Sequence, residues 1–146
     1  MNTISDQELC RLAVEAMHMA YVPYSGYTVG AALLCDDGTI YTGCNIENAS
    51  YTPTVCAERT AFFKAVSEGK RSFKKIAVCG GKGGTISGSF PPCGVCRQVM
   101  SEFCGDSFEI LVIQNAEPVM FTAYTLPELL PLRFGPSHLL APDEIG

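Results

Sequence analysis

Residues 29–44 read VGAALLCDDGTIYTGC, and this stretch decides the fold. From Val29 to Cys35 the chain is apolar throughout and does not alternate, the pattern of a strand buried on both faces. Asp37-Gly38 is a hairpin turn signal, and Thr39 to Cys44 returns as the partner strand. A strand covered on both sides needs a layer of structure above it and another below.

The flanking sequence supplies those layers. Upstream, Ser5-Asp6-Gln7-Glu8 has the capping-box form and opens a helix. Its buried stripe is Leu9, Leu12, Ala13, Ala16, Met17 and Ala20 at helical spacing, and Pro23 is expected to end it. Downstream, the polar residues 45–54 read as a loop, and a helix is expected from Val55 to Glu68, stopped by Gly69. Lys75 to Cys79 is a third strand, and residues 80–92, rich in Gly, Ser and Pro, read as a surface loop. A second such helix runs from Cys93 to Phe103. Phe108 to Ile113 and Val119 to Tyr124 are the last two strands. Thr125-Leu126-Pro127-Glu128 is another capping box, opening a short helix before a proline-rich tail from Pro131. A hairpin followed by alternating helices and strands gives an α/β fold, one mixed sheet with helices on both faces. There is no internal repeat and no linker, so residues 1–146 are expected to form a single domain.

Composition narrows the function. The net charge is −5, and the Lys and Arg residues are few and scattered. A polymeric nucleic-acid partner, which calls for a basic face, is disfavoured, and a small neutral ligand is not. No apolar run is long enough to span a bilayer, and Met-Asn-Thr-Ile-Ser-Asp-Gln-Glu has no signal-peptide character. The expectation is a soluble, cytoplasmic protein without a membrane partner. Five of the eight cysteines (Cys10, Cys35, Cys44, Cys79, Cys104) lie in apolar surroundings without ligand spacing and read as small buried hydrophobes.

The other three belong to two segments, Cys56-Ala57-Glu58-Arg59 and Pro92-Cys93-Gly94-Val95-Cys96-Arg97. Cys-x-x-Cys alone also fits a redox pair or half of a structural zinc site. Together, however, the segments match the zinc deaminase signature, a His or Cys, one residue and Glu, followed later by Pro-Cys-x-x-Cys. Cys93 and Cys96 share a face at a helix start, where the dipole favours thiolates. Cys56 and Glu58 are two apart and do not share a helix face, so both reach one ion only if it lies beyond the helix end. Two helix N-termini are therefore expected to converge on one zinc per chain. Three protein ligands are the count of a catalytic zinc, and a structural site would need a fourth. His18 and His138 read as surface residues, which leaves a further cysteine as the alternative fourth ligand. Three thiolates leave the site net negative, so Arg59, and more weakly Arg97, are candidate donors to a ligand thiolate. Glu58 is the candidate proton carrier, moving a proton from the attacking water to a ring nitrogen and then to the departing amine. General acid–base help of this kind is worth roughly 3–5 kcal/mol of barrier.

At these residues the chain resembles the small cytidine deaminases, homotetramers with a three-cysteine zinc site. The resemblance runs from about Tyr21 to Leu139. It includes Pro23-Tyr24-Ser25, Val29-Gly30-Ala31-Ala32, Gly43-Cys44-Asn45-Ile46-Glu47-Asn48, both cysteine segments with Gln98, and Phe134-Gly135-Pro136. It implies a three-layer α/β/α sandwich with a five-stranded mixed sheet, and hydrolytic deamination of free cytidine and 2′-deoxycytidine in pyrimidine salvage. It further implies that Asn45 and Glu47 hold the ribose 3′-hydroxyl, which suits two residues two apart pointing the same way from a strand end. The Ala57 backbone would meet the base edge. Tyr51 and Phe134 would approach the site, Phe134 from a neighbouring subunit. Tyr27 stands where the family usually has phenylalanine beside the base; its ring can still pack on a base, but its hydroxyl needs a partner.

Two rival readings remain. A deaminase of a cytosine-bearing antibiotic, similar to blasticidin-S deaminase, shares the zinc motif, but Asn45-Ile46-Glu47 suits a plain ribose. A zinc-stabilised binding module without catalysis would not need a ligand set of three.

Overall fold

The structure, a computed structural model, describes residues 4–145. Met1, Asn2, Thr3 and Gly146 lie outside the described residues, and with them part of the chain start read above and the two ends of the expected 1–146 domain. Helix α1 spans Asp6–Met17, and the Ser5 hydroxyl caps it by accepting the Glu8 N–H at 3.1 Å. Leu9, Cys10, Ala13 and Met17 form its buried face. The helix stops six residues before Pro23, so Ala20 falls outside it. The chain turns at His18 because Tyr21 is already bridged to Ile46, with Tyr21 N–H donating to the Asn45 carbonyl at 3.0 Å.

Five strands follow among the described residues: β1 Tyr27–Cys35, β2 Ile40–Cys44, β3 Phe73–Lys82, β4 Glu109–Ala116 and β5 Val119–Thr125. They form one sheet in the order β2-β1-β3-β4-β5. Strand β1 runs antiparallel to both β2 and β3, β3 and β4 are parallel, and β4 and β5 are antiparallel, so the sheet is mixed. Helices α2 (Ala57–Ser67) and α3 (Gly94–Phe103) and the short α4 (Leu126–Leu129) complete the α-structure, followed by 3₁₀ turns at Pro136–His138 and Pro142–Glu144. None of these helices is long and apolar enough to cross a membrane.

Strand β1 shows why an unbroken apolar run means two covered faces. Ala31, Leu33 and Cys35 join Ile76, Val78, Ile110 and Val112 in one core with Ala57, Phe62 and Met100 of α2 and α3. Ala32 and Leu34 join Ala77, Cys79, Leu111 and Ile113 in a second core with Leu9, Ala13 and Met17 of α1. The result is the expected three-layer sandwich, α1 on one face and α2 with α3 on the other.

Glycines let neighbouring chain lie close on the sheet, as two positions show. A Cβ on Gly43 of β2 would lie 2.4 Å from the Ala57 carbonyl oxygen, so only glycine lets the start of α2 rest on this strand. A Cβ on Gly80 of β3 would lie 2.4 Å from the Phe90 ring. Gly80 and Gly81 pair with Val29 and Thr28 of β1, so the strand runs on to Lys82 where a loop was expected from residue 80. Here glycine serves close packing rather than a turn.

Candidate active site

Helices α2 and α3 lie side by side on one sheet face and start at the same end. Cys56 is the residue that caps α2, Cys93 caps α3, and Cys96 lies in the first turn of α3. Neither cap makes a side-chain hydrogen bond to its helix, which leaves both sulfurs directed elsewhere. The Cys56 and Cys93 Sγ atoms are 3.7 Å apart, those of Cys93 and Cys96 are 3.6 Å apart, and all three lie within 4.8 Å of one another. Tetrahedral zinc with Zn–S bonds of about 2.3 Å requires sulfurs about 3.8 Å apart, so this donor set fits the ion. Among the described residues no fourth His, Cys, Asp or Glu joins the cluster.

Arg59, one turn into α2, donates through Nη2 to Cys56 Sγ at 3.3 Å. The Cys56 thiol is lowered to about 5, by the hydrogen bond from Cys96 and then by those from Arg59 and Cys93, against burial. Cys96 is raised, first by the same shared bond, then by burial and the nearby Glu58 charge. A dication among these sulfurs favours the thiolate at each of them.

Glu58 is 3% exposed, and its Oε1 makes no hydrogen bond to the described residues. Burial pushes its carboxyl up to about 7, with the Cys56 charge adding to the rise and a backbone N–H opposing it. A carboxyl oxygen left unpaired at such depth costs free energy, which makes Glu58 a candidate for chemistry.

Arg97 behaves differently from the thiolate donor expected of it. Its Nε donates to the Pro92 carbonyl at 2.8 Å and its Nη1 to the Leu129 carbonyl at 2.6 Å, with no bond to sulfur. It fastens the residue before Cys93 to the end of α4. A backbone carbonyl is as good an acceptor for a guanidinium as a thiolate is, and spacing along the chain cannot distinguish them.

A second cluster forms around residues 24–27 and 45–54. Ile46 is bridged to Tyr21 on one side and to Val55 on the other, which sets Asn45 and Glu47 on a short extended segment. Asn45 Oδ1 accepts the Val29 N–H at 2.9 Å, and its Nδ2 donates to the Tyr27 carbonyl at 2.9 Å. Glu47 Oε1 accepts the N–H groups of Tyr24 and Ser25 at 3.0 and 3.1 Å, and Oε2 accepts the Ser25 hydroxyl. Glu47, Ser25, Tyr24, Tyr51 and Thr54 line a cavity of about 420 Å³, within the range that accommodates a nucleoside. A larger cavity of about 660 Å³ lies behind α3, among Ser101, Cys104, Arg133 and Pro136, and neither cavity is lined by the metal-site residues.

Tyr27 stacks on Phe90, with centroids 6.1 Å apart and planes inclined by 22°. Ala57 is fully buried at the first position of α2. Tyr51 is exposed, with φ of 65°, and meets Tyr24 edge-on. Phe134 is half-exposed and stacks on His138. Its carbonyl accepts from Gln98 Nε2 at 2.9 Å and Ser101 Oγ at 2.7 Å, which ties it to the outer side of α3 rather than to the cysteines. Sequence reasoning assigned no role to Ser25 or Phe90. Pro23-Tyr24-Ser25 marked the resemblance, yet nothing in its composition shows that two of its N–H groups meet a carboxylate 22 residues away.

Comparison with known proteins adds the following. The family profile described as the cytidine and deoxycytidylate deaminase zinc-binding region matches residues 3–112. A cytidine deaminase of Sporosarcina psychrophila is 50% identical over 133 residues, 91% of this chain and 93% of that protein. The crystal structure of cytidine deaminase from Burkholderia pseudomallei superposes with a TM-score of 0.81 at 41% identity, covering 90% of this chain and all of that one. A blasticidin-S deaminase of Bacillus cereus is more distant, 35% identical over 133 residues, 88% of this chain and 91% of that protein.

Proposed function

Because the chain belongs to the family of zinc-binding cytidine and deoxycytidylate deaminases, we infer that it hydrolyses the amine of free cytidine and 2′-deoxycytidine, giving uridine, 2′-deoxyuridine and ammonia. The observation that carries this reading is the buried Glu58, whose Oε1 has no hydrogen-bond partner among the described residues, two residues from one of three sulfurs spaced for zinc.

When held by Cys56, Cys93 and Cys96, zinc supplies Lewis acidity that makes water nucleophilic near neutral pH. Glu58 takes the proton of the attacking water at its carboxylate and passes it to N3 of the cytosine ring as oxygen bonds to C4. It then takes the proton of the new C4 hydroxyl and delivers it to the amino nitrogen. The C4–N bond breaks, C4 becomes a carbonyl, and ammonia leaves. Burial that raises the carboxyl above its ordinary value suits a group that must both accept and return a proton. Arg59 holds the Cys56 thiolate and offsets part of the negative charge of the ligand set. Asn45 and Glu47 orient the ribose, Tyr27 packs against the base, and the Ala57 backbone meets its edge. Tyr51 closes the ribose side, and Phe134 serves a neighbouring copy in a homotetramer.

The whole chain acts as one domain in this reading, in the cytoplasm and in pyrimidine salvage. All eight cysteines are free, which suits a reducing compartment. Mixing the protein with cytidine and following loss of cytosine absorbance together with ammonia release tests the proposal. A zinc-loaded protein that releases no ammonia would return the non-catalytic reading, and turnover confined to a cytosine-bearing antibiotic would return the other rival.

A further inference from the structure

Glu47 and Tyr27 serve opposite ends of the proposed substrate, yet one hydroxyl joins them. Ser25 Oγ donates to Glu47 Oε2 and accepts the Tyr27 N–H at 3.0 Å. The Tyr27 carbonyl accepts from Asn45 Nδ2, and Asn45 is fixed in turn by the Val29 N–H. Asn45, Tyr27, Ser25 and Glu47 are thus one connected chain of hydrogen bonds from the ribose residues to the residue beside the base.

The acceptor count on Glu47 gives this chain a consequence. A carboxylate oxygen has two lone-pair directions. Oε1 already takes two N–H groups, from Tyr24 and Ser25, while Oε2 takes only the Ser25 hydroxyl. The remaining acceptor direction is on Oε2, and its orientation is set by the Ser25 O–H. The Ser25 hydroxyl is also the leading cause that holds the Glu47 carboxyl below its ordinary range, which keeps it an acceptor at neutral pH.

We propose that Ser25 is a positioning residue for nucleoside recognition: its hydroxyl aims the one available acceptor of Glu47 at the 3′-hydroxyl and locks that aim to the backbone of Tyr27. The proposal rests on the cytidine reading for the identity of the ligand. Alanine at position 25 leaves the two N–H contacts on Oε1 in place, so Glu47 stays nearby but Oε2 loses its fixed partner. Tyr27 N–H loses its acceptor at the same time. The loss should therefore appear in binding of substrates that carry a 3′-hydroxyl.

The test measures kcat and KM for cytidine and for 3′-deoxycytidine, with melting temperature alongside, in wild type, Ser25→Ala, Ser25→Thr and Glu47→Gln. A charge-assisted hydrogen bond at a partly solvated site predicts that Ser25→Ala raises KM for cytidine by about tenfold. The preference for cytidine over 3′-deoxycytidine should narrow by a similar factor. Ser25→Thr, which keeps the hydroxyl, should retain most of the preference. Ser25→Ala added to Glu47→Gln should narrow it no further, because both act on one contact. Equal losses on the two nucleosides, with an unchanged preference, would overturn the assignment and leave Ser25 merely structural. An unchanged KM for cytidine would overturn it as well. If the wild type turns over neither nucleoside, the cytidine reading has failed and takes this inference with it; that outcome is distinct from a working enzyme indifferent to Ser25.

Discussion

The two ends of the proposed site are built by different means. At the metal end, four functional side chains come from the first turns of two parallel-lying helices, with Glu58 and Cys96 buried and Cys56 half-buried. At the end proposed to hold the ribose, Asn45, Glu47, Ser25 and Tyr27 come from bridges and turns, and their contacts are largely exposed to solvent. Regular helices hold groups at short, fixed spacings, which suits an ion whose ligands tolerate errors of a few tenths of an ångström. Irregular chain brings N–H groups from several residues onto one carboxylate, which suits recognition of a hydroxyl. Loss at the first end should be all or nothing, and loss at the second graded.

The largest effect tests the all-or-nothing half. Replacing Cys56, Cys93 or Cys96 by Ala should lower bound zinc from one per chain to below about 0.1 after dialysis, and lower the melting temperature, because two thiolates and water hold the ion far more weakly. Elemental analysis of the dialysed proteins checks this, and full occupancy in all three variants would sink the assignment. Glu58→Gln comes next. It should keep zinc and still bind cytidine, yet lose roughly 10²–10⁴ in kcat, because an amide cannot carry the proton. A variant within about tenfold of wild type would identify another group as the proton carrier.

The two arginines sharpen the comparison inside the metal end itself. Arg59→Gln removes the donor to the Cys56 thiolate and should cost about 10–100-fold in zinc affinity or turnover, as loss of an outer partner to a metal ligand generally does. Arg97→Gln removes two bonds to backbone carbonyls and should act on stability, by roughly 1–2 kcal/mol, with little change in zinc affinity. Competition with a chelator and thermal melts on both variants separate the two roles. Equal zinc loss in both would show that Arg97 reaches the metal after all.

The same contrast explains what could be read from residues alone. Val29–Cys35 disclosed a strand covered on both faces because side chains alternate whether or not the sequence does, and Ala31 and Ala32 indeed enter different cores. The clustering of the three cysteines was legible because helix geometry ties chemistry to short spacing. Gly80 and Gly81 were misread as loop because glycine at a close packing contact and glycine at a turn look alike in sequence. Pro23 was misread as the end of α1 because the bridge that turns the chain earlier pairs residues 25 apart, Tyr21 and Ile46. Arg97 reaches the Leu129 carbonyl and Ser25 the Glu47 carboxylate, partners 32 and 22 residues away that spacing does not encode. The ribose assignment of Asn45 and Glu47 rests on the family resemblance alone, for the same reason.

The smallest predicted effect concerns what the ribose end excludes. Glu47 already accepts three hydrogen bonds, two from backbone N–H groups and one from Ser25, and these hold it ionised. A free 3′-hydroxyl can donate to its remaining lone pair. A 3′-phosphate or an interior phosphodiester has no proton to donate there and brings negative charge to within a few ångströms of the carboxylate. The net charge of −5 opposes a polymeric substrate further. Cytidine should therefore be deaminated efficiently, cytidine 3′-phosphate poorly, and an interior cytosine of a single-stranded oligonucleotide barely at all. Glu47→Gln removes the charge but keeps an acceptor, so it should slow cytidine while narrowing the gap to the 3′-phosphate by about tenfold or less, a difference of about 1.4 kcal/mol at most. Because the carboxyl is held below its ordinary range, the gap to the interior cytosine, whose phosphodiester keeps a single charge, should stay constant from neutral pH downwards and narrow only as the pH falls through that lowered value and Glu47 takes up a proton. The gap to the 3′-phosphate should already narrow at about pH 6, as the phosphate itself takes up a proton. Ammonia release from the three substrates across this pH range checks both points. A gap that Glu47→Gln leaves untouched would move the discrimination from this carboxylate to the shape of the cavity around it.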